Sequence, residues 1–425
     1  MNPIASIKKN LAFIKLRKLV VAALLVGFLS AMLALTLKHL TEHYENILLA
    51  QSQSNRWYLL LFPVLGLSVI FILRQYLFKK KENKGIKEIF ESTASKKKNL
   101  PIYKIPSHFF NGFLTVIFGG STGIEVSTVV ATATIGSVAQ QKENLFRQYK
   151  TELISAGVAA GITALFSSPI AGILFALEVI SKKRSRTFFL MTGLAVLVAY
   201  GLLFIIDEPP LFALDIAVWH YHAIPYFIVL GILAGLHSVY LTKCVLFFKS
   251  EFAKIDSHYT RILIGAGLLS VALLLLPQLY GDGYHAITDL IHPKNFSFSP
   301  LFLLTLLAVL FVKPLVTSIT LASGGDGGVF APSLFIGAFL GFLIATIGNS
   351  LCGADVIPVN FVVIGMAAML SASIHAPFTA LFLVCSLVND YTLFFPILAI
   401  CLISKYTAKL IYPFTVYTYA PETLK

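Results

Sequence analysis

Glu125 is the residue in this chain best placed to do chemistry. It lies in Gly119-Gly-Ser-Thr-Gly123-Ile-Glu-Val-Ser127, two residues past a glycine and at the head of the apolar run Val126–Val138. An ionisable group in such a stretch is costly to bury and marks a functional site by default. Two roles are open to it. A carboxylate can cap the free N–H groups of a helix start, or it can occupy an anion's site and leave when protonated. The second role makes one residue both a gate and a proton carrier. The surrounding glycines let the backbone approach a ligand closely. Each glycine-rich turn opens directly into an apolar helix, whose first N–H groups are unpaired and carry the positive end of the helix dipole. Several such helix starts converging would bind an anion without a full positive charge, and so without holding it too tightly to release. A phosphate-binding loop would end in Gly-Lys-Ser/Thr, which this turn lacks.

Other groups invite chemistry less strongly. Lys313, just before Pro314 in an apolar stretch, either snorkels to an interface or shapes the field of a pathway. His39-Leu-Thr-Glu42-His43 has the H-x-x-E-H spacing of a zinc-peptidase class, but no soluble domain surrounds it. Trp219-His220-Tyr221-His222 reads as an interfacial aromatic belt rather than a metal site. Cys244, Cys352, Cys385 and Cys401 have no C-x-x-C spacing and serve as small hydrophobes. No metal site is expected.

The elements that position these residues are membrane helices. Of 425 residues, 57% are hydrophobic and only 12% charged, with a mean hydropathy of +0.82. Soluble domains sit near 25% charged, so a soluble enzyme is excluded. The 33 Lys+Arg against 20 Asp+Glu give a net charge of +13. That excess is clustered. Lys8, Lys9, Lys15, Arg17 and Lys18 precede the first apolar span; Lys79, Lys80, Lys81, Lys84, Lys87, Lys96, Lys97, Lys98 and Lys104 follow the second; Lys182, Lys183, Arg184 and Arg186 follow a later one. Segments between them, such as Thr41–Asn55 and Asp207–Glu208, lack it. The alternation is the positive-inside pattern, with a cytoplasmic N-terminus. Nothing resembles the basic, aromatic-interleaved face of a nucleic-acid binder. The first apolar run, Leu19–Leu37, is too long for a signal peptide and is expected to be a retained helix.

Long spans are expected at Leu19–Leu37, Trp57–Leu73, Phe188–Ile206, Ile224–Leu246, Ile262–Leu276 and Leu301–Leu321. Between them lie shorter pieces: Phe109–Gly120, Val126–Val138, Leu153–Leu165 and Pro169–Ile180, then Val329–Ile347, Val356–Leu370, Pro377–Val388 and Phe394–Leu410. Half-helices of this kind are tolerated only where their ends are buried in protein or line an aqueous path. The two sets are copies. An offset of 205 takes Gly119, Gly120, Gly123 and Gly136 to Gly324, Gly325, Gly328 and Gly341; an offset of 208 takes Gly157, Ala160, Ala164 and Pro169 to Gly365, Ala368, Ala372 and Pro377. Interrupted segments at corresponding places in two halves point to a binding site at the membrane midplane.

Lys313-Pro-Leu-Val-Thr317, followed by Ser323-Gly-Gly-Asp-Gly-Gly-Val-Phe-Ala-Pro332-Ser-Leu-Phe-Ile-Gly-Ala338, closely resembles the G-x-F-x-P region of the CLC chloride channels and transporters. Gly123-Ile-Glu-Val-Ser127 falls where that family has G-[K/R]-E-G-P, which makes Glu125 similar to the external gating glutamate. Here Ile124 replaces the basic residue and Val126-Ser127 replace Gly-Pro. Val416-Tyr417-Thr418 resembles the S-x-Y segment, whose tyrosine hydroxyl contacts the central anion. The first family motif, G-S-G-I-P, has its counterpart in Asn83-Lys84-Gly85-Ile86-Lys87, which puts Lys84 at the anion-coordinating serine; an ordinary cytoplasmic lysine is the other reading. In Pro169-Ile-Ala-Gly-Ile-Leu-Phe-Ala-Leu-Glu178-Val179, valine stands where proton-coupled bacterial members carry an inner glutamate, and Glu178 matches the structural member of that pair.

The resemblance covers about residues 15–420 and implies an all-α polytopic membrane protein of CLC type, built of two inverted-topology repeats of broken, tilted helices. Residues 1–18 would form a cytoplasmic N-terminus, 19–215 the first repeat and 216–425 the second. The bacterial type is implied, without the regulatory CBS domains of some relatives. Chloride or a similar monovalent anion would be bound by Gly123, Ile124, Glu125, Val126, Gly328, Val329, Phe330, Ala331, Tyr417 and Lys84. Glu125 would gate, and Val179 would mark the proton-path position. No cofactor is expected beyond bound chloride, and the expected partners are the lipid bilayer and a second copy of the chain, in the cell membrane. Val179 favours channel-like conduction; the alternative is chloride/proton exchange. A membrane metalloenzyme using His39, Glu42 and His43, or a carrier of uncharged solutes, are the remaining rivals.

Overall fold

The computed structural model describes residues 3–78, 83–95, 97–142, 144–181, 184–291 and 299–419. Lys79, Lys80, Lys81, Lys96, Lys182 and Lys183 of the basic clusters lie outside the described residues. The first set of helices is α1 (Pro3–Ser54), α2 (Trp57–Ile72), α3 (Ile86–Ala94), α4 (Lys104–Ile117), α5 (Glu125–Gln141), α6 (Lys150–Phe166), α7 (Pro169–Phe175) and α8 (Arg186–Ile206). The second is α9 (Ile224–Ala253), α10 (His258–Leu275), α11 (Tyr284–Ile291), α12 (Pro300–Ala322), α13 (Phe330–Cys352), α14 (Pro358–Ile374), α15 (Pro377–Val388) and α16 (Phe394–Ile411). Among the described residues eight helices are long and apolar enough to cross a membrane, while α14 and α15 are apolar but shorter.

The two sets repeat each other's packing. α1 lies on α6 and α8 as α9 lies on α14 and α16; α5 pairs with α6 as α13 pairs with α14. Equivalent helices also meet across the molecule, α2 on α10 and α7 on α15. Every residue of α6 is buried, as is α14 from Asn360 to Ile374. A helix apolar on all sides has no solvent face and belongs inside. Both end on a residue in the left-handed region, Ser167 and His375, with Pro169 and Pro377 opening the next helix.

The first span, expected at Leu19–Leu37, is part of a longer element: α1 continues unbroken to Ser54, a helix of 52 residues. The reason lies in its polar residues. Lys38, Thr41 and Glu45 fall on one helix face and are all buried, Lys38 on Glu208 at 2.6 Å and Glu45 accepting the Asp282 N–H at 3.3 Å. α13 likewise runs beyond the apolar piece Val329–Ile347, to Cys352.

Glycines set how closely the helices approach. A Cβ on Gly337 would lie 2.1 Å from the Gly365 carbonyl oxygen, and one on Gly365 would lie 2.1 Å from that of Gly337. Backbone meets backbone there, so no side chain can give way. Gly365→Ala is expected to force α13 and α14 apart and to cost about 1–3 kcal/mol. A lowered midpoint of thermal unfolding of the purified protein in detergent would check this.

Candidate functional site

The site is built where the two repeats touch. Gly119 and Gly324, at φ +82° and +106°, end α4 and α12 in the region only glycine enters freely. The following Gly120 and Gly325 N–H groups donate back to Thr115 O and Thr320 O at 2.7 and 2.9 Å. The next residues exchange bonds across the repeats: Ser121 N–H donates to Thr320 Oγ1 at 3.2 Å, and Asp326 N–H to Thr115 Oγ1 at 2.9 Å. Gly123 and Gly328 then form an antiparallel bridge. Each of these pairs is related by the offset of 205 read from the sequence. Equivalent residues that contact one another reciprocally lie about a two-fold axis. The symmetry brings the starts of α5 and α13 together, and with them two sets of unpaired N–H groups.

Glu125 is the first residue of α5 and is 2% exposed. The Tyr284 hydroxyl, at the start of α11, donates to its Oε1 at 2.7 Å. The carboxylate folds back over Gly123, where a Cβ would stand 1.9 Å from Oε2. The same point would lie 2.6 Å from Cβ of Ala331, the second residue of α13. The carboxylate therefore lies between the starts of α5 and α13, where an anion attracted to those helix ends would sit.

Tyr417 closes the other side. Its hydroxyl accepts the Val329 N–H at 3.3 Å, and a turn stitched by Thr415 and Thr418 holds the ring in place. Phe330 is fully buried, stacked on Phe166 at 5.4 Å and edge-on to Phe175 at 6.2 Å, so its side chain anchors α13 to α6 and α7. A cavity of about 450 Å³ opens beneath, walled by Lys84, Val126, Gly328, Val329 and Tyr417. Arg74, Lys87, Lys249 and Arg261 also line it. Burial lowers the pKa of the Lys87 amine, with Glu91 opposing the shift. The remaining expected residues, Gly123, Ile124, Glu125, Phe330 and Ala331, are not on the cavity wall. They lie behind Val126 and Val329, so the constellation divides into an open part and a part closed by Glu125.

Lys84 is exposed on the cavity wall, its backbone N–H donating to Glu88 Oε1 at 2.6 Å. Gly85 stands at φ +63°, and a Cβ there would lie 3.5 Å from Val126 Cγ1. Val179 lies half-buried against the core in the turn of π-helix Ala176–Ile180 after α7. Beside it Glu178 accepts from both the Thr379 N–H and its hydroxyl at 2.8 and 2.7 Å, tying α7 to α15. Lys313 does not snorkel. It is wholly buried, donating to Leu279 O and Gly281 O at 3.3 Å with its ammonium 4.5 Å above the Phe335 ring. His39 pairs with Glu208 at 3.0 Å, and no metal-binding group of His, Cys, Asp or Glu occurs among the described residues.

Sequence reasoning missed Tyr284 and the buried His108–Asp326 pair, Nδ1 to Oδ2 3.0 Å. Asp326 had a visible signal, a charge inside a glycine turn. Tyr284 had none, since its partner is 159 residues away.

Residues 65–409 match the family model described as voltage gated chloride channel. Similar sequences include a putative chloride channel protein ClcB-like from Ralstonia nicotianae, 26% identical over 375 residues covering 83% of this chain and 82% of that one. An H(+)/Cl(-) exchange transporter ClcA from Vibrio vulnificus is 30% identical over 315 residues, 69% of this chain and 64% of its own length. A ClcA of the same description from Klebsiella pneumoniae is 28% identical over 377 residues, 82% of this chain and 76% of the relative. Among solved structures, a slow cyanobacterial Cl-/H+ antiporter superposes with a TM-score of 0.81 at 22% identity, covering 94% of this chain and 96% of the other. A CLC-type fluoride/proton antiporter gives 0.79 at 24%, covering 95% and 97%.

Proposed function

The chain belongs to the voltage-gated chloride channel family, and from that membership we propose that it exchanges chloride, or a similar monovalent anion, for protons, with Glu125 as gate. It is a multi-pass membrane protein that transports anions, not an enzyme. The observation that carries the finer reading is the seat of the Glu125 carboxylate, between the starts of α5 and α13. As a carboxylate it holds the place an anion would take; protonated, it loses its attraction to the helix ends and can leave. Anion and proton then use one position in turn, which is what coupling needs. The exchange transporters among the similar sequences support the same reading.

Channel-like conduction is the second reading, and the observation favouring it is Val179, an apolar residue where coupled relatives carry a carboxylate. Measuring the reversal potential across reconstituted membranes under opposed chloride and pH gradients separates the two. Exchange predicts that the potential moves with the pH gradient at fixed chloride; no movement would leave the channel-like reading standing.

The anion would be held by the backbone of Gly123–Val126 and of Gly328–Ala331 and by the Tyr417 hydroxyl, with chloride bound in the resting protein. The N-terminus would face the cytoplasm, since the basic clusters fall on that side. Two copies would associate in the bilayer, each with its own pathway. Lys84 would gather anions at the cavity mouth. Lys84→Ala is therefore expected to lower chloride flux about two- to threefold at low ionic strength. The deficit should shrink at 0.5 M salt, because an exposed charge is screened over less than ~10 Å there. Equal deficits at both ionic strengths would remove Lys84 from that role.

A further inference from the structure

A buried acid–base pair borders the cavity and takes no part in the gate as described. Asp326 lines the cavity yet is only 4% exposed; His108, on α4, is wholly buried. His108 Nδ1 lies 3.0 Å from Asp326 Oδ2. Asn83 Nδ2 donates to the same oxygen at 2.5 Å, and the Gly327 N–H donates to Oδ1 at 3.0 Å. Other charges face the pair. Arg74 and Lys249 act on Asp326 through space, and the Lys104–Glu88 ion pair reaches it through Asn83, whose Oδ1 accepts from Lys104 Nζ at 3.0 Å. Tying α4 to the turn before α13 needs no ionisable groups, and apolar or amide partners would do so at less desolvation cost. What a carboxylate and an imidazole add is a proton that can move.

The polar path continues beyond the ring. Both His108 ring nitrogens, Asn111 Oδ1 one turn along α4, and Ser127 Oγ on α5 are buried and make no hydrogen bond with any described residue, Nδ1 meeting Asp326 Oδ2 as a 3.0 Å contact. α4 and α5 are in contact at this level, since a Cβ on Gly112 would lie 2.5 Å from Ser127 Oγ. Two residues before Ser127 stands Glu125, whose Oε2 is also without a hydrogen-bond partner among the described residues. Buried polar groups with unused capacity are where internal water is held.

We propose that Asp326 and His108 form the inner proton station of the transport cycle, passing protons between the cavity and Glu125 along the α4–α5 face. The proposal rests on the exchange reading and names residues that carry it out. A proton from cavity water binds the Asp326 carboxylate and moves to His108 Nδ1 while Nε2 releases its own proton toward Asn111 and Ser127. One proton enters and one leaves, no other bond changes, and the imidazole is left as its other neutral tautomer, which returns to the first when internal water takes the Nδ1 proton and gives one to Nε2.

The test measures chloride and proton fluxes together in proteoliposomes of the full chain, for wild type, Asp326→Asn and His108→Gln. The two variants keep size and polarity but cannot relay a proton. Each is expected to lower proton flux relative to chloride flux by about tenfold or more, with chloride flux within about threefold of wild type. A merely structural role would reduce both fluxes together and leave their ratio unchanged. Either variant, folded and monodisperse, transporting protons at the wild-type ratio would overturn the station while leaving exchange intact. Wild type carrying chloride with no protons would instead overturn the exchange reading, and the station with it.

Discussion

Replacing Glu125 with glutamine is expected to abolish proton movement while chloride continues to cross. Glutamine keeps the shape and can still accept the hydrogen bond that the Tyr284 hydroxyl gives Oε1 at 2.7 Å, so α11 has no reason to shift. What it loses is the negative charge that competes with an anion for the starts of α5 and α13, and the ability to bind a proton. In wild type, acid favours the protonated, displaced gate, so chloride flux should rise as pH falls. In Glu125→Gln that dependence should flatten and proton flux should fall to background. Parallel chloride and pH recordings from proteoliposomes check both. A variant that keeps the wild-type pH dependence would remove Glu125 from gating.

A side chain at Gly328 should nearly stop transport. A Cβ there would stand 2.2 Å from Val126 Cγ2 and 2.9 Å from the Tyr417 hydroxyl. Contacts that short force Val126 or Tyr417 to move, and both line the cavity just below the Gly123–Gly328 bridge. Gly328→Val adds an isopropyl group against Val126 and Tyr417 and disturbs the Tyr417 hydroxyl that accepts the Val329 N–H. Overpacking of this kind costs about 1–3 kcal/mol, which a protein this size can absorb while remaining folded. The expected result is a drop in chloride efflux per protein of about tenfold or more in a sample still monodisperse by size-exclusion chromatography. Efflux near the wild-type rate would mean that the anion takes another route.

The features legible in the sequence were those written locally and twice. The offset of 205 relates Gly123 to Gly328, and these two residues bridge; it relates Thr115 to Thr320, and these exchange hydrogen bonds with Asp326 and Ser121. Glycine turns and a lone carboxylate in apolar surroundings are patterns a few residues long, so Glu125 and the helix starts beside it could be named from them. Contacts between distant segments left no such mark. Tyr284 reaches Glu125, and Lys313 lies beneath the Leu279–Gly281 carbonyls, only because of the fold. The extension of α1 to Ser54 was hidden for a related reason. The apolar run stops at Leu37, and the buried partners of Lys38 and Glu45, Glu208 and the Asp282 backbone, come from distant segments. His108 and Asp326 sit 218 positions apart, and neither residue type alone implies the other.

The central claim is that the Glu125 carboxylate occupies an anion's place. Bromide substitutes for chloride and is located directly by anomalous X-ray scattering, so crystals of wild type and of Glu125→Ala grown in bromide test it most directly. The account predicts a bromide beside Tyr417 and the Val329 N–H in both proteins. In Glu125→Ala alone it predicts a second bromide, between the starts of α5 and α13 where the carboxylate lay. An empty position there, in a variant that still transports chloride, would contradict it.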